Sequence, residues 1–214
     1  MKIIAIIQAR MGSTRLPGKM MLEICGRPVI QHVFERVERS KYIHEVWLAT
    51  TVNSEDDVLA EWAKKNDKNF YRGSSDDVLD RFYHVAKQSG ADVIIRITGD
   101  CPLMDCGTLD KVINTFKSGN FDYVCNAQPP SFPDGLDVEI FSFSALDRAW
   151  REAKLKSERE HVTPYIWKNT ELFKITNVLC ETDLSFHRWT LDTPEDFEFI
   201  KKIIEFAVEK NIEI

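Results

Sequence analysis

Ile3-Ile4-Ala5-Ile6-Ile7 runs without a break into Gln8-Ala9-Arg10-Met11-Gly12-Ser13-Thr14-Arg15-Leu16-Pro17-Gly18-Lys19, and the fold follows from that junction. A short, β-branched apolar run with no polar alternation predicts a parallel strand buried on both faces. It opens into a loop holding two glycines, two hydroxyl residues and three fixed cations, Arg10, Arg15 and Lys19. Glycines let backbone N–H groups approach an anion closely, and the cations offset charge that amides alone cannot. The stretch reads as a triphosphate cradle. A flexible, solvated basic loop is the competing reading of the same spacing.

Two better-known phosphate loops do not fit. A Walker A loop needs four residues between its glycines, then Lys and a hydroxyl residue. Here five residues separate Gly12 from Gly18, and Met20 follows Lys19. A dinucleotide fingerprint needs G-x-G-x-x-G opening directly into a helix. No such triplet is present, and the next helix is expected no earlier than about Pro28.

The 214 residues suffice for one large α/β domain, and the 43% hydrophobic and 29% charged content is that of an ordinary globular chain. A net charge of −6 argues against general nucleic-acid binding and makes a local basic loop a better match to a small polyanion. Five cysteines without a C-x-x-C pair point to buried free thiols in a reducing compartment, not to a zinc site. The N-terminal apolar run is too short for a signal peptide, and no stretch approaches the roughly 20 apolar residues of a membrane span. A cytoplasmic protein without membrane partners is expected.

Outward from the loop, strands and helices alternate. A helix is predicted over Pro28–Ser40, a strand at Glu45–Thr51, and a helix capped by Ser54 from Glu55 to about Asn66. A strand at Asn69–Arg72 precedes a helix with Val78, Leu79, Phe82, Val85 and Ala86 on one face, with Asp76 and Asp77 as its cap and first-turn acids. Asp92–Thr98 is a strand ending in Gly99-Asp100-Cys101-Pro102-Leu103. A helix at about Thr108–Lys117 and a strand at Tyr123–Cys125 follow. This rhythm predicts a mostly parallel sheet with helices on both faces. Residues 129–180 break it with a Pro-rich loop, a strand at Leu136–Phe141, helices at about Phe143–Leu155 and Glu158–Asn169, and a strand at Leu172–Leu179. We read them as a mixed α+β excursion that covers the site or forms a dimer contact. A strand at Arg188–Asp192 leads to a final helix with Thr193 as N-cap and Pro194 in its first turn; its stripe of Phe197, Ile200, Ile203, Ile204 and Ala207 is expected on the sheet.

Ligands of open α/β sheets sit at the carboxyl ends of the strands, where the Gln8–Lys19 loop, Asp100 and Asp192 all fall. Two carboxylates on separate strand ends can hold one Mg²⁺, the remaining ligands coming from water and substrate phosphates. Asp100 is alternatively an Asx turn before Pro102. For Asp192 the capping role is already taken by Thr193. The five histidines show no metal-ligand spacing; His161 and His187 either face a substrate or are ordinary core or surface residues. Arg96, at an inner-strand position, is expensive to bury without an anion, so it meets a phosphate or carboxylate of the substrate or forms a buried salt bridge.

Taken together, Ile7–Lys19, Tyr71-Arg72-Gly73-Ser74-Ser75-Asp76-Asp77-Val78-Leu79, Arg96–Leu103, Gly135-Leu136-Asp137-Val138-Glu139, Glu158-Arg159-Glu160-His161-Val162-Thr163-Pro164 and Trp189–Asp196 resemble the cytidylyltransferases of the spore-coat polysaccharide (SpsF-like) type, relatives of the acylneuraminate and KDO cytidylyltransferases. The loop departs from the A-R-x-G-S-K pattern of the sialate enzymes at Met11 and Thr14-Arg15, which leaves acceptor and base preference open.

The resemblance implies a single GT-A-like nucleotidyltransferase domain over residues 1–214 that transfers CMP from CTP to a sugar acid or related hydroxyl acceptor, releasing pyrophosphate, in surface polysaccharide synthesis. It implies Arg10, Arg15, Lys19 and Asp100 as catalytic groups. Gln8, Ala9, Gly12, Ser13, Asp76 and Gly99 join Arg10, Arg15 and Lys19 around the nucleotide. Arg96, Asp137, Glu139, Arg159, His161 and Arg188 fall to the acceptor, and Asp100 with Asp192 to Mg²⁺. It also implies a homodimer through about Pro129–Asn169. Two alternatives are a glycosyltransferase of the same fold, disfavoured because no Asp-x-Asp pair occurs, and a non-catalytic nucleotide-binding subunit.

Overall fold

The strand β1 (Ile3–Gln8) lies at the middle of the molecule, and its five apolar residues are all buried. It pairs in parallel with β4 (Glu45–Thr51) on one side and β6 (Val93–Thr98) on the other, with Gln8 opposite Thr98. The structure, a computed structural model, describes residues 1–212. Between β1 and β4 come the short strands β2 (Glu23–Ile24) and β3 (Arg27–Pro28) and the helix α1 (Val29–Val37). Helix α2 (Asp57–Lys65), β5 (Asn69–Gly73) and α3 (Val78–Ser89) lead from β4 to β6. Then follow α4 (Cys106–Ser118), β7 (Tyr123–Cys125), β8 (Glu139–Ser142), α5 (Phe143–Glu152), α6 (Lys156–His161), α7 (Pro164–Lys168), β9 (Ile175–Asn177) and α8 (Pro194–Lys210).

The seven-stranded sheet runs β5-β4-β1-β6-β8-β7-β9, parallel except for β8, which is antiparallel to both neighbours. Alternate β1 residues face opposite layers, as the two-residue period of a strand requires. Ile3, Ala5 and Ile7 pack with Phe34 of α1, Trp62 of α2 and Val112 of α4. Ile4 and Ile6 pack with Phe82 of α3, Leu146 of α5 and Ile166 of α7. The α/β fold with helices on both faces is as read from the sequence. Residues 129–180 extend that same sheet, since β8 and β9 are strands of it.

Several boundaries differ, each for a physical reason. Ser54 is not a cap: it heads a 3₁₀ turn, Ser54–Asp56, because the buried Asp56 carboxylate is taken by the Thr51 hydroxyl and the Met11 N–H. The Leu136–Val138 segment precedes β8; the buried Asn126 side chain, bonded to Leu136 O at 2.8 Å and Val138 N at 2.8 Å, replaces the sheet ladder there. The expected helix over Glu158–Asn169 is two helices, α6 and α7. Pro164 cannot continue an α-helical ladder, and the chain turns at Val162, whose φ is 70°.

No strand forms at Arg188–Asp192. That segment crosses the end of the sheet, bonding to Asp134 and Asp100 rather than to a neighbouring strand. Helix α8 keeps its cap but packs elsewhere than expected. Ile200 and Ile204 meet Ile24, Val29, Leu103 and Leu191, so α8 covers the β2–β3 hairpin instead of the main sheet. That hairpin turns at Cys25 and Gly26, both with positive φ. Cys101 and Cys125 are buried as expected, whereas Cys25 is exposed and Cys106 and Cys180 are half-buried; all five are free thiols.

Candidate active site

The chain leaves β1 toward β4 on one side and returns through β5 and α3 to β6 on the other, so the carboxyl ends of β1 and β6 flank a topological switch point. A cleft of about 350 Å³ opens there. At its floor Gly99 N–H donates to Gln8 O at 2.9 Å. A Cβ on Gly99 would stand 2.9 Å from both Ala9 Cβ and Met20 Sδ, so only glycine lets the two strand ends approach this closely.

The Gln8–Lys19 loop is pinned from outside and folded on itself. Met11 N–H donates to Asp56 Oδ1 at 2.6 Å, and both Ser13 N–H and Gly18 N–H return to Met11 O. Gly18 adopts φ 72°, after which Lys19–Met21 forms a 3₁₀ turn. This turn swings Lys19 inward, where it is 8% exposed. Its ammonium donates three bonds: to Asp100 Oδ2 at 2.9 Å, Asp192 Oδ1 at 3.0 Å and Leu191 O at 2.7 Å. The two acids, distant in sequence, meet because Leu191 N–H bonds Asp100 O at 2.8 Å. Gly135, at φ 108°, permits this crossing; a Cβ there would lie 2.7 Å from the Trp189 carbonyl carbon.

Two arginines approach Asp192 from solvent, Arg15 at 3.1 Å and Arg188 at 3.2 Å, and Arg188 also reaches Asp196 at 2.8 Å. Asp134 and Asp137 lie in the field of Asp100. Burial raises the Asp137 carboxyl to about 6, with Asp134 and Glu139 adding to it and Arg96 opposing. Burial also raises Asp134, against the pull of Arg188. The Cys101 thiol, buried beside Asp100, is pushed well up and is no nucleophile at neutral pH.

Of the residues expected at the site, Gln8, Ala9, Arg10, Gly12, Ser13, Arg15, Lys19, Gly99, Asp100, His161 and Asp192 line the cleft. Other expected site residues do not. Asp76 is exposed at the α3 entrance, where its carboxylate accepts from Ser75 Oγ and its N–H donates to Ser74 Oγ. Arg159 is spent on Asp77, with Nη2 at 2.6 Å, and on Trp150 O, which ties α6 to the α3 cap. Arg96 forms the salt bridge that was one of its two readings, with Glu139 as partner, and donates from Nε to Gln8 Oε1 at 3.0 Å. Glu139 in turn accepts from Tyr123 at 2.6 Å and from Thr163. Arg96 and Glu139 therefore orient Gln8, whose Oε1 is occupied and whose amide N–H₂ is left for the cleft. Asp137 and Arg188 lie beside the cleft rather than in its wall.

The sequence reading missed Asp56, Ser75, Glu160 and Arg81. Asp56 owes its role to register between strand ends, which carries no local signal. Arg81 did carry one: it falls on the buried stripe of α3, three residues after Val78.

A glycine-floored cleft at a switch point, with cations on its loop and two converging acids, defines a nucleotidyltransferase-like site on a Rossmann-like sheet. Comparison with known proteins gives the family. A cytidylyltransferase family model matches residues 4–213, and the chain belongs to that family, which makes it a CTP-dependent nucleotidyltransferase. It is 35% identical to the spore coat polysaccharide biosynthesis protein SpsF of Bacillus subtilis, over 97% of this chain and 88% of that one. It is 38% identical to the 3-deoxy-manno-octulosonate cytidylyltransferase of Geobacter sulfurreducens, over 53% of this chain and 44% of the other. A solved cytidylyltransferase from Leptospira borgpetersenii superposes with a TM-score of 0.91 at 40% identity, over 96% of this chain and 87% of that one. The glycosyltransferase and non-catalytic readings fall with this assignment. No helix among the described residues is long and apolar enough to cross a membrane.

Proposed function

We propose that the enzyme transfers CMP from CTP to a hydroxyl of a sugar acid or a related acceptor, with release of pyrophosphate, in the synthesis of a surface polysaccharide. The observation that carries the reading is the Lys19–Asp100–Asp192 constellation beneath the arginine-bearing loop. The acceptor class is supported by the octulosonate relative, and the polysaccharide by SpsF.

In the reaction, an acceptor oxygen bonds to the α-phosphorus as the bond to the bridging oxygen of pyrophosphate breaks, and the hydroxyl proton leaves to solvent. Such a displacement needs positioning and charge neutralisation more than covalent help. Arg10 and Arg15, both exposed on the loop, would meet the β- and γ-phosphates. Lys19, buried and rigidly bonded, would hold charge near the α-phosphate. Gln8, fixed by Arg96, and Gly99 shape the floor, while Glu160 and His161 form the wall toward the acceptor.

Asp100 and Asp192 fit a hard divalent ion: both are carboxylates, both line the cleft, and both already converge on one cation, the Lys19 ammonium. They would hold Mg²⁺, whose contribution is to neutralise charge on the phosphates as the leaving group departs. The test is pyrophosphate release from CTP and magnesium with a panel of sugar acids. Release that depends on both CTP and one acid supports the proposal. CTP turnover only with neutral sugars would overturn the acceptor class.

A further inference from the structure

Away from the cleft, a smaller pocket of about 130 Å³ lies between α1 and α8 and shares no lining residue with the active site. Arg36, in the last turn of α1, lines it and is 6% exposed. A cation there suits the helix dipole, but that interaction does not require burial. Among the described residues the Arg36 guanidinium has no hydrogen-bond or ion-pair partner. The acids nearest in charge are committed elsewhere. Glu35 accepts from Arg27 Nη1 at 2.9 Å and Gln31 Nε2 at 2.8 Å, and Asp105 Oδ2 caps α4 through Thr108 N–H at 2.6 Å. Burial, with Arg39 adding to it, lowers Arg36 only to about 10, so it stays charged at neutral pH. A guanidinium buried without acceptors is costly, and its retention at a cavity points to an anion that supplies them.

The kind of anion follows from the rest of the lining. Arg27, Arg36 and Arg39 stand against one carboxylate, Glu35, and burial keeps His32 neutral, so the polar side is net positive. Ile204, Ala207 and Val208 of α8 supply an apolar side. A planar guanidinium matches a carboxylate with two parallel hydrogen bonds. Inorganic phosphate would use the cations but gain nothing from the apolar side. The volume is well below the roughly 300 Å³ at which sites for larger organic ligands begin, so a nucleotide does not fit.

We infer that this pocket is a second binding site, for a small aliphatic carboxylate, with the charged end on Arg36 and the alkyl end against Ile204 and Val208. The site is independent of the nucleotide cleft and does not rest on the reaction proposed there.

Methyl-resolved NMR titration of the full chain with isocaproate tests this, with isocaproamide, acetate and inorganic phosphate as comparisons. The expected result is saturable shifts at the Ile204, Ala207 and Val208 methyls and none at Ala9 in the cleft. Isocaproamide, which keeps the shape without the charge, should bind at least about 10-fold more weakly. Acetate and phosphate, which lack the apolar body, should also bind at least about 10-fold more weakly. Arg36→Met should weaken isocaproate by at least about 10-fold. Equal binding of the acid and its amide would overturn the charged contact, and this arm needs no variant. Acetate or phosphate as tight as isocaproate would overturn the ligand class. Unchanged affinity in Arg36→Met, shifts at Ala9 in place of Ala207, or no saturable shift at all would overturn the site.

Discussion

Lys19 spends all three of its protons inside the protein, two of them on the Asp100 and Asp192 carboxylates, whose backbones the Leu191 N–H to Asp100 O bond holds together. Those carboxylates converge for a cation, and this sets the first expectation. Asp100→Asn and Asp192→Asn should each lower turnover by at least about 100-fold, because the divalent ion they would hold, which would oppose the phosphate charge, loses a ligand. Thermal unfolding should shift little, since both side chains are partly open to solvent. Full activity in either variant, measured by pyrophosphate release, would remove the metal assignment.

Asp137 makes an independent, pH-dependent case. Its carboxyl is raised to about 6 from the usual 3.8, chiefly by burial, so the folded state favours the protonated form. The stabilisation it contributes is complete below about pH 4 and is lost as pH rises through 6. Asp137→Asn, which cannot ionise, should gain stability relative to wild type between pH 4 and pH 7.5, by on the order of 2–3 kcal/mol. Urea unfolding at the two pH values measures it, and an unchanged difference would show that Asp137 titrates normally.

At the scale of elements, α8 illustrates what the sequence shows and what it hides. Thr193-Pro194-Glu195-Asp196 announces a capped start, and the structure has the full capping box. Asp196 Oδ2 accepts the N–H of Thr193 and of Asp192, each at 2.9 Å, so the box also fixes the backbone that carries the second acid. Thr193→Ala should therefore cost about 1 kcal/mol of stability in chemical denaturation. It should also impair turnover beyond that loss; unchanged turnover per folded molecule would separate the cap from the site.

The surface on which α8 packs could not be read, because β2 and β3 are two residues each and give no periodic signal. The break at Val162 was readable in principle from Pro164. The crossing of residues 188–192 was not, since it depends on Gly135 and Asp100, far away in sequence. Local patterns fix strands, caps and helical stripes, whereas contacts between strand ends appear only once the sheet order is set. Asp56 and the Arg96–Glu139–Gln8 chain belong to the second kind.

Across the whole molecule, charge is distributed in opposition to its mean. A chain of net charge −6 gathers Arg10, Arg15, Lys19 and Arg81 around one cleft, the arrangement expected for a small polyanion. Residues 129–180 complete the far side of the sheet and send Glu160 and His161 back to that cleft, so they are structural and site-forming at once. We extend the proposal to a homodimer through about residues 129–169, which a solution mass of twice 24.8 kDa by light scattering would support and a monomeric mass would refute.

The central claim is that one nucleotide lies along the cleft, its phosphates over the loop and a divalent ion between the two acids. A crystal soaked with CTP and Mn²⁺ tests it most directly. The account predicts an anomalous peak within bonding distance of both Asp100 and Asp192, beside the phosphates. A nucleotide bound elsewhere, or an ion touching neither acid, would contradict it.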